Sequence, residues 1–288
     1  MPDEPIRAST ETRRAWALRI VGAAPTADSA DHARLIDAFS AVPREDFVGP
    51  PPWQVSGEGA GLWTSEDEPE HLYRDVLVSL AHERGINNGQ PSLHAMCLAA
   101  LALQSGETVL HVGAGTGFYS AVIAELVGPQ GTVHAYEIET DLAQAAQRNL
   151  ASWAQVQVHA ESATDGALPA ADAVYVNAGA TRPHPAWLDA LRDGGRLCFP
   201  LTGAGGHGGM LLVTRRAGAW AARFIASVSF IGCAGARDDA EAQGLSNAFA
   251  SGRGTAVRSL RRGSAPDQTA WVAGEGWWLS TAPPTSTA

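Results

Sequence analysis

A chain of 288 residues, 45% of them apolar, is long and greasy enough to bury a full core, which excludes disorder of the whole chain. Its formal charge of -10 argues against a nucleic-acid partner, because a phosphate backbone calls for a basic face. No run approaches the roughly 18 uninterrupted apolar residues of a membrane span, and residues 1–30 carry no signal-peptide core, so a cytoplasmic protein without membrane contact is expected.

In chain order, helical spacing of Trp16, Leu18 and Ile20 and then of Leu35, Ile36 and Phe39 predicts helices over 9–22 and 30–42, with Pro43 as the stop. Residues 49–70, rich in Gly, Pro, Ser and acids, read as a wrapping loop that can carry Trp53 and Trp63 towards a site. Turn chemistry over 85–92 feeds a helix from Pro91 to about Leu103. There follows an alternation: strand Thr108 to Val112, helix Tyr119 to Val127, strand Thr132 to Ile138, helix Leu142 to Ser152, strand Val156 to Ala160. That alternation predicts a parallel sheet with crossover helices. Further strands are expected over Ala173–Asn177 and Arg196–Leu201 around a helix at Pro185–Leu191. The apolar runs Met210–Thr214 and Phe224–Phe230 predict an antiparallel edge hairpin closing the sheet. Beyond residue 235 one helix, Asp239–Ala250, precedes an aromatic run at Trp271, Trp277 and Trp278.

The sharpest local signal is Val109-Leu-His-Val-Gly-Ala-Gly-Thr-Gly-Phe-Tyr, a strand followed by Gly113, Gly115 and Gly117 and then a helix. Glycines let the backbone turn sharply and come within contact distance of a ligand. Twenty residues after the last glycine, Glu137 ends the next strand, where a carboxylate can accept from both ribose hydroxyls. The pair predicts an adenosine-binding corner. A nicotinamide dinucleotide uses G-x-G-x-x-G, with pyrophosphate at the helix N-terminus; here the third glycine comes one residue early. G-x-G-x-G followed by a bulky residue is the habit of S-adenosylmethionine-dependent methyltransferases. A nicotinamide oxidoreductase and a tight turn without ligand are the competing readings.

Several stretches, in order, resemble the protein-L-isoaspartate O-methyltransferase family over about residues 35–233. They are Val42-Pro-Arg-Glu-Asp-Phe-Val, Tyr73-Arg-Asp-Val, Asn87-Asn-Gly-Gln-Pro-Ser-Leu-His-Ala, the glycine loop, Asp172-Ala-Val-Tyr-Val-Asn-Ala-Gly-Ala, and Leu188 to Leu201 with the glycine-rich turn to Met210. The resemblance implies a doubly wound, mostly parallel, seven-stranded α/β sheet. It divides the chain into an N-terminal helical cap with a substrate and cofactor loop (1–90), a Rossmann-like methyltransferase core (91–233) and a C-terminal extension (234–288). It implies S-adenosylmethionine as cofactor, with Gly113, Ala114, Gly115 and Gly117 at its methionine part and Glu137 and Ile138 at the ribose. Asn87, Asn88, Gly89 and Gln90 would lie against the reactive methyl with His94 close by, and Asn177 would border the chamber. The acceptor implied is a carboxylate on a peptide or protein, and the enzyme is expected to act as a monomer.

Three departures stand out. Gly89 takes the place of the family's usual serine, two residues before the proline, so a hydroxyl near the methyl is missing. His111 stands two residues before the first glycine, where the family has an acid that meets the cofactor's amino group. Ala160-Glu-Ser replaces a Gly-Asp-Gly, leaving Glu161 or Ser162 for the adenine side. A peptide-modifying enzyme with a dedicated acidic substrate and a cofactor-binding module without turnover are the alternatives. Cys97, Cys198 and Cys233 are odd in number and widely spaced, the remaining histidines show no ligand spacing, and no metal is expected. Arg237 is read either as a bidentate partner for a substrate carboxylate or as a solvated surface residue.

Overall fold

The computed structural model describes residues 7–22, 24, 29–57, 62–63 (backbone only) and 68–285. The first helices form where the apolar spacing places them. α1 (Thr10–Val21) buries Trp16, Ala17, Ile20 and Val21, and Ser9 caps it by accepting from the N–H of Thr12 at 3.0 Å. α2 (Ser29–Ala41) buries Leu35, Ile36 and Phe39.

Within residues 49–70, read in sequence as a wrapping loop, two short strands form among the described residues. β1 (Gln54–Ser56), β2 (Leu62–Trp63), β3 (Leu77–Ala81) and β4 (Ile86–Asn87) make a small antiparallel sheet in the order β2-β1-β3-β4. Strands this short show no usable alternation in sequence. Trp53 is buried and its indole N–H donates to Gly49 O at 2.9 Å, so it fills the core. The Trp63 side chain lies outside the described residues.

The predicted alternation follows: α3 (Pro91–Leu101), β5 (Thr108–Val112), α4 (Phe118–Val127), β6 (Thr132–Tyr136), α5 (Thr140–Asn149), β7 (Val156–His159), β8 (Ala171–Val176), α6 (Pro185–Ala190) and β9 (Leu191–Thr202). β9 starts earlier than expected because a register shift near Gly194 lets Leu191 pair with Ala171. The C-terminal part comprises β10 (His207–Arg216), β11 (Ala219–Ser229), α7 (Asp239–Ala250), β12 (Ser259–Arg262), β13 (Ala270–Gly274) and β14 (Trp277–Ser280).

The chain forms two compact units, Met1–Gly106 with Ala114–Ala160, and Glu107–Gly113 with Glu161–Ala288. In the first, α2 packs on α1, α3 and α4, and β6 and β7 pair in parallel from Val133↔Val156 to Tyr136↔His159. Arg44 is fully buried there. It donates to the carbonyls of Leu72, Arg74 and Val76, and its guanidinium lies 5.4 Å from the Trp16 ring centroid. The Tyr73 hydroxyl donates to Glu45 at 2.5 Å while accepting from the Arg44 backbone N–H at 3.0 Å. An irregular backbone segment is thus satisfied by one cation that desolvation has made less basic than usual.

In the second unit eight strands run in the order β13-β14-β12-β11-β10-β9-β8-β5. β5, β8 and β9 are parallel and every pairing beyond β9 is antiparallel. The α/β class holds, and the strand count exceeds seven. The β10–β11 hairpin is not the edge that was expected, because β12, β14 and β13 continue past it. These strands have only four or five residues, too few to show an alternation in sequence. Among the described residues no helix is long and apolar enough to cross a membrane.

Candidate active site

Within the first unit, the glycine loop is held to the end of β6 by its own backbone. Glu137 is buried, with Oε2 accepting from the Gly115 N–H at 2.7 Å and Oε1 from the Glu139 N–H at 2.9 Å. Burial raises its carboxyl pKa above the ordinary value, and the backbone N–H groups of Glu139, Gly115 and Ile138 oppose that shift. A carboxylate has about four lone-pair sites, so two remain for a ligand's hydroxyls. Gly117, with φ +100°, caps α4, and a Cβ there would sit 2.7 Å from Leu150 Cδ1. A larger residue here would crowd Leu150 and hold a backbone conformation that L residues rarely adopt. Thr116 braces it by donating to Phe47 O at 2.5 Å and accepting at its carbonyl from Asn149 Nδ2 at 3.0 Å. Ala114 is buried beside the turn, whereas Ile138 is an exposed large apolar side chain directly after Glu137.

The same unit holds the loop from Asn87 to His94. Asn88 behaves as a continuation of β4. Its N–H donates to Val78 O and its Oδ1 accepts from Val78 N, both at 2.9 Å, while Nδ2 is buried without a hydrogen-bond partner among the described residues. Asn87 Oδ1 accepts from the Gly89 N–H at 2.9 Å, closing a tight turn. Gly89 has φ +73°, and a Cβ on it would lie 2.0 Å from His94 Nε2. The His94 ring stacks on Tyr119 with centroids 3.6 Å apart. The Tyr119 hydroxyl is fully buried, which raises its pKa.

The stretch Tyr73-Arg-Asp-Val, matched to the family without a role for its aspartate, supplies the residue that organises this loop. Asp75 accepts from Gln90 Nε2 at 2.7 Å, from the Ser92 N–H at 2.8 Å and from Ser92 Oγ at 2.6 Å. It supplies from outside the helix the cap that Gln90, the residue before Pro91, does not. Gln90 is thereby turned to Asp75. The resemblance marked the stretch that holds Asp75, but spacing alone does not join an upstream aspartate to a proline-led helix.

Within the second unit, His111 on β5 is fully buried and Asn177 follows β8. Asn177 Nδ2 and His111 Nε2 are 2.7 Å apart. Gly113, with φ +75°, lies against Asn177, since a Cβ on it would meet Asn177 atoms at 3.5 to 3.7 Å. Ser162 bonds Thr164 rather than this pair, and Glu161 is exposed. Arg237 corrects both readings offered for it. Its guanidinium donates to Gly179 O at 2.9 Å, Thr202 Oγ1 at 2.8 Å and Gly203 O at 2.8 Å, a structural anchor of the loop after β8. Glu241 on α7 accepts from Thr181 Oγ1 at 3.1 Å, Arg182 Nε at 2.7 Å and Trp277 Nε1 at 3.2 Å, which ties that loop to the C-terminal strands.

Comparison with known proteins gives a consistent result. A model of the family described as "Protein-L-isoaspartate(D-aspartate) O-methyltransferase" matches residues 61–238. The protein-L-isoaspartate O-methyltransferase of Pyrobaculum neutrophilum is 32% identical over 67% of this chain and 87% of its own length. That of Korarchaeum cryptofilum is 31% identical over 70% of this chain and 96% of its own. A solved protein-L-isoaspartate O-methyltransferase superposes with a TM-score of 0.63 at 21% identity, over 88% of this chain and 73% of that one. A Plasmodium falciparum protein, solved in complex with S-adenosyl-L-homocysteine, gives 0.57 at 17% identity over 77% and 98%. The structural matches show a shared fold.

Proposed function

The chain belongs to the protein-L-isoaspartate O-methyltransferase family, and from that membership we propose that it methylates a carboxylate oxygen of a peptide or protein, using S-adenosylmethionine. The observation that carries the reading is the bond from the Gly115 N–H to Glu137 Oε2, which makes the glycine turn and the ribose-binding acid one assembly. When bound, the donor supplies an electrophilic methyl on its sulfonium. The glycines at 113, 115 and 117 allow the backbone to approach it, and Glu137 has acceptor sites to spare for its ribose. Ala114 and Ile138 flank these groups, and Glu161 or Ser162 serves the adenine side. Asn87, Asn88, Gly89, Gln90 and His94 cover the reacting methyl. A carboxylate acceptor is ionised at neutral pH and needs no general base. The residues therefore act by holding the partners in line and excluding water.

The test presents labelled donor with an isoaspartyl peptide and its normal aspartyl twin. Preferential labelling of the isoaspartyl peptide is expected, and equal labelling would end the repair reading. A second reading, a dedicated acidic peptide as substrate, is favoured by Gly89. Its backbone conformation and the imidazole of His94 leave no room for the serine usual at that position.

A further inference from the structure

Asn177 presents its two amide arms to different surroundings. Nδ2 faces His111 Nε2 at 2.7 Å, whereas Oδ1 is shielded from solvent and has no hydrogen-bond partner among the described residues. His111 lies fully buried in β5, its ring stacked 5.6 Å from that of Tyr175. Burial holds its pKa down at about 3, so the ring is neutral under ordinary conditions. A neutral imidazole whose Nε2 accepts from an amide carries its proton on Nδ1. This orients the amide: its NH2 group turns to the ring and its carbonyl turns away. The Asn177 main chain and Cβ also lie against Gly113, the first residue of the glycine turn. An acceptor buried without a donor costs about 1–3 kcal/mol, and native proteins pair nearly all such groups.

We propose that Asn177 Oδ1 is the acceptor for the α-ammonium of the methyl donor, with His111 as the anchor that fixes the orientation of the amide. The proposal rests on the methyl-donor reading above. The ammonium is the donor molecule's one cationic N–H group and has no acceptor of its own, so it requires what Asn177 offers. His111, neutral and acceptor-bonded at Nε2, cannot provide a charge at the position where the family has an acid. The amide beside it provides a neutral oxygen instead. His111 is a positioning residue here and Asn177 a binding residue.

Two measurements test this. Long-range nitrogen-15 NMR on the ligand-free protein is expected to show His111 as the Nδ1-protonated tautomer; the Nε2-protonated form overturns the proposal, because the amide would then face the other way. Calorimetry compares S-adenosylhomocysteine with its analogue lacking the amino group, on wild type, Asn177→Ala and Asn177→Asp. Asn177→Ala is expected to lose about tenfold in affinity for S-adenosylhomocysteine and little for the deamino analogue, as a charge-assisted hydrogen bond is removed. Asn177→Asp, which keeps an acceptor, is expected to retain binding. Equal losses for both ligands, or none, overturn the proposal while leaving the donor reading intact. Wild-type protein that binds no S-adenosylhomocysteine overturns both.

Discussion

Glu137 and Gly115 are joined by a 2.7 Å hydrogen bond across the corner between β6 and the glycine turn. The same carboxylate also caps the start of α5 through the Glu139 N–H, so one side chain sets the positions of two backbone segments. Glu137→Gln replaces one of these acceptors by a donor facing an N–H. Affinity for S-adenosylhomocysteine is expected to fall by about ten- to a hundredfold, the scale of a charged hydrogen bond. Calorimetric titration checks this, and undiminished binding would remove Glu137 from the donor site.

Restoring the family's serine at position 89 is expected to harm the protein. Gly89 has φ +73°, and any Cβ collides with the His94 ring. The left-handed backbone costs roughly 1–2 kcal/mol and overpacking a further 1–3 kcal/mol. Gly89→Ser is expected to lower the melting temperature and not to raise labelling of isoaspartyl peptides. Adding His94→Ala is expected to recover part of the lost stability, which calorimetry reads directly.

Asp75 holds three donors of the loop before and within α3. Asp75→Ala removes that cap and frees Gln90, at a cost of about 1–2 kcal/mol. Amide hydrogen exchange over residues 87–94 is expected to accelerate, and KM for the methyl donor to rise more than kcat falls. Exchange rates that stay at wild-type values would show that Pro91 and the β3–β4 pairing hold the loop without Asp75.

Stability should depend on pH through His111. Its folded pKa, about 3, lies below the ordinary 6.5, so the unfolded chain binds a proton across this window that the folded chain refuses. His111 therefore contributes stability above pH 6.5, and that contribution is lost as pH falls through about 3. Each pH unit is worth about 1.4 kcal/mol at most. Urea unfolding from pH 7 to 4 is expected to show a shallower decline in His111→Leu than in wild type.

Glu241 joins the loop after β8 to the C-terminal strands. Glu241→Ala leaves Arg182 and the Trp277 indole without this acceptor, at an expected cost of about 1–3 kcal/mol. Because Glu241 touches none of the groups assigned to the donor, affinity for S-adenosylhomocysteine is expected to change little while KM for the peptide acceptor rises. A fall in donor affinity matching the rise in KM would assign the C-terminal segment to holding the donor site.

The alternating elements were readable because a buried parallel strand such as Val109–Val112 and a helix such as Phe118–Val127 carry their burial in their own composition. α7 was found to the residue, Asp239–Ala250, because its apolar spacing is bounded by an aspartate cap and by Ser251-Gly252. Other parts depend on partners far away in sequence. Arg44 and Asp75 look like surface charges until the carbonyls and N–H groups they meet are known. The small sheet of β1 to β4 exists through pairing between strands of two to five residues, and no local pattern announces it. At the site, the glycine turn and Glu137 were legible from spacing, and the commitment of Gln90 to Asp75 was not.

The buried guanidinium of Arg44 bears on how this gene can be shortened. The stretch matched by the family model begins at residue 61, so a fragment cut to that boundary would discard Arg44 and Glu45 while retaining the carbonyls of Leu72, Arg74 and Val76 and the hydroxyl of Tyr73. The same cut removes Trp16, Phe39 and Phe47, whose rings pack on Tyr73, Phe118 and Tyr119, so those polar groups and these rings would open to solvent together. A fragment cut by homology alone is therefore expected to expose apolar surface and aggregate, because α1 and α2 belong to the same compact unit as α4, β6 and Glu137.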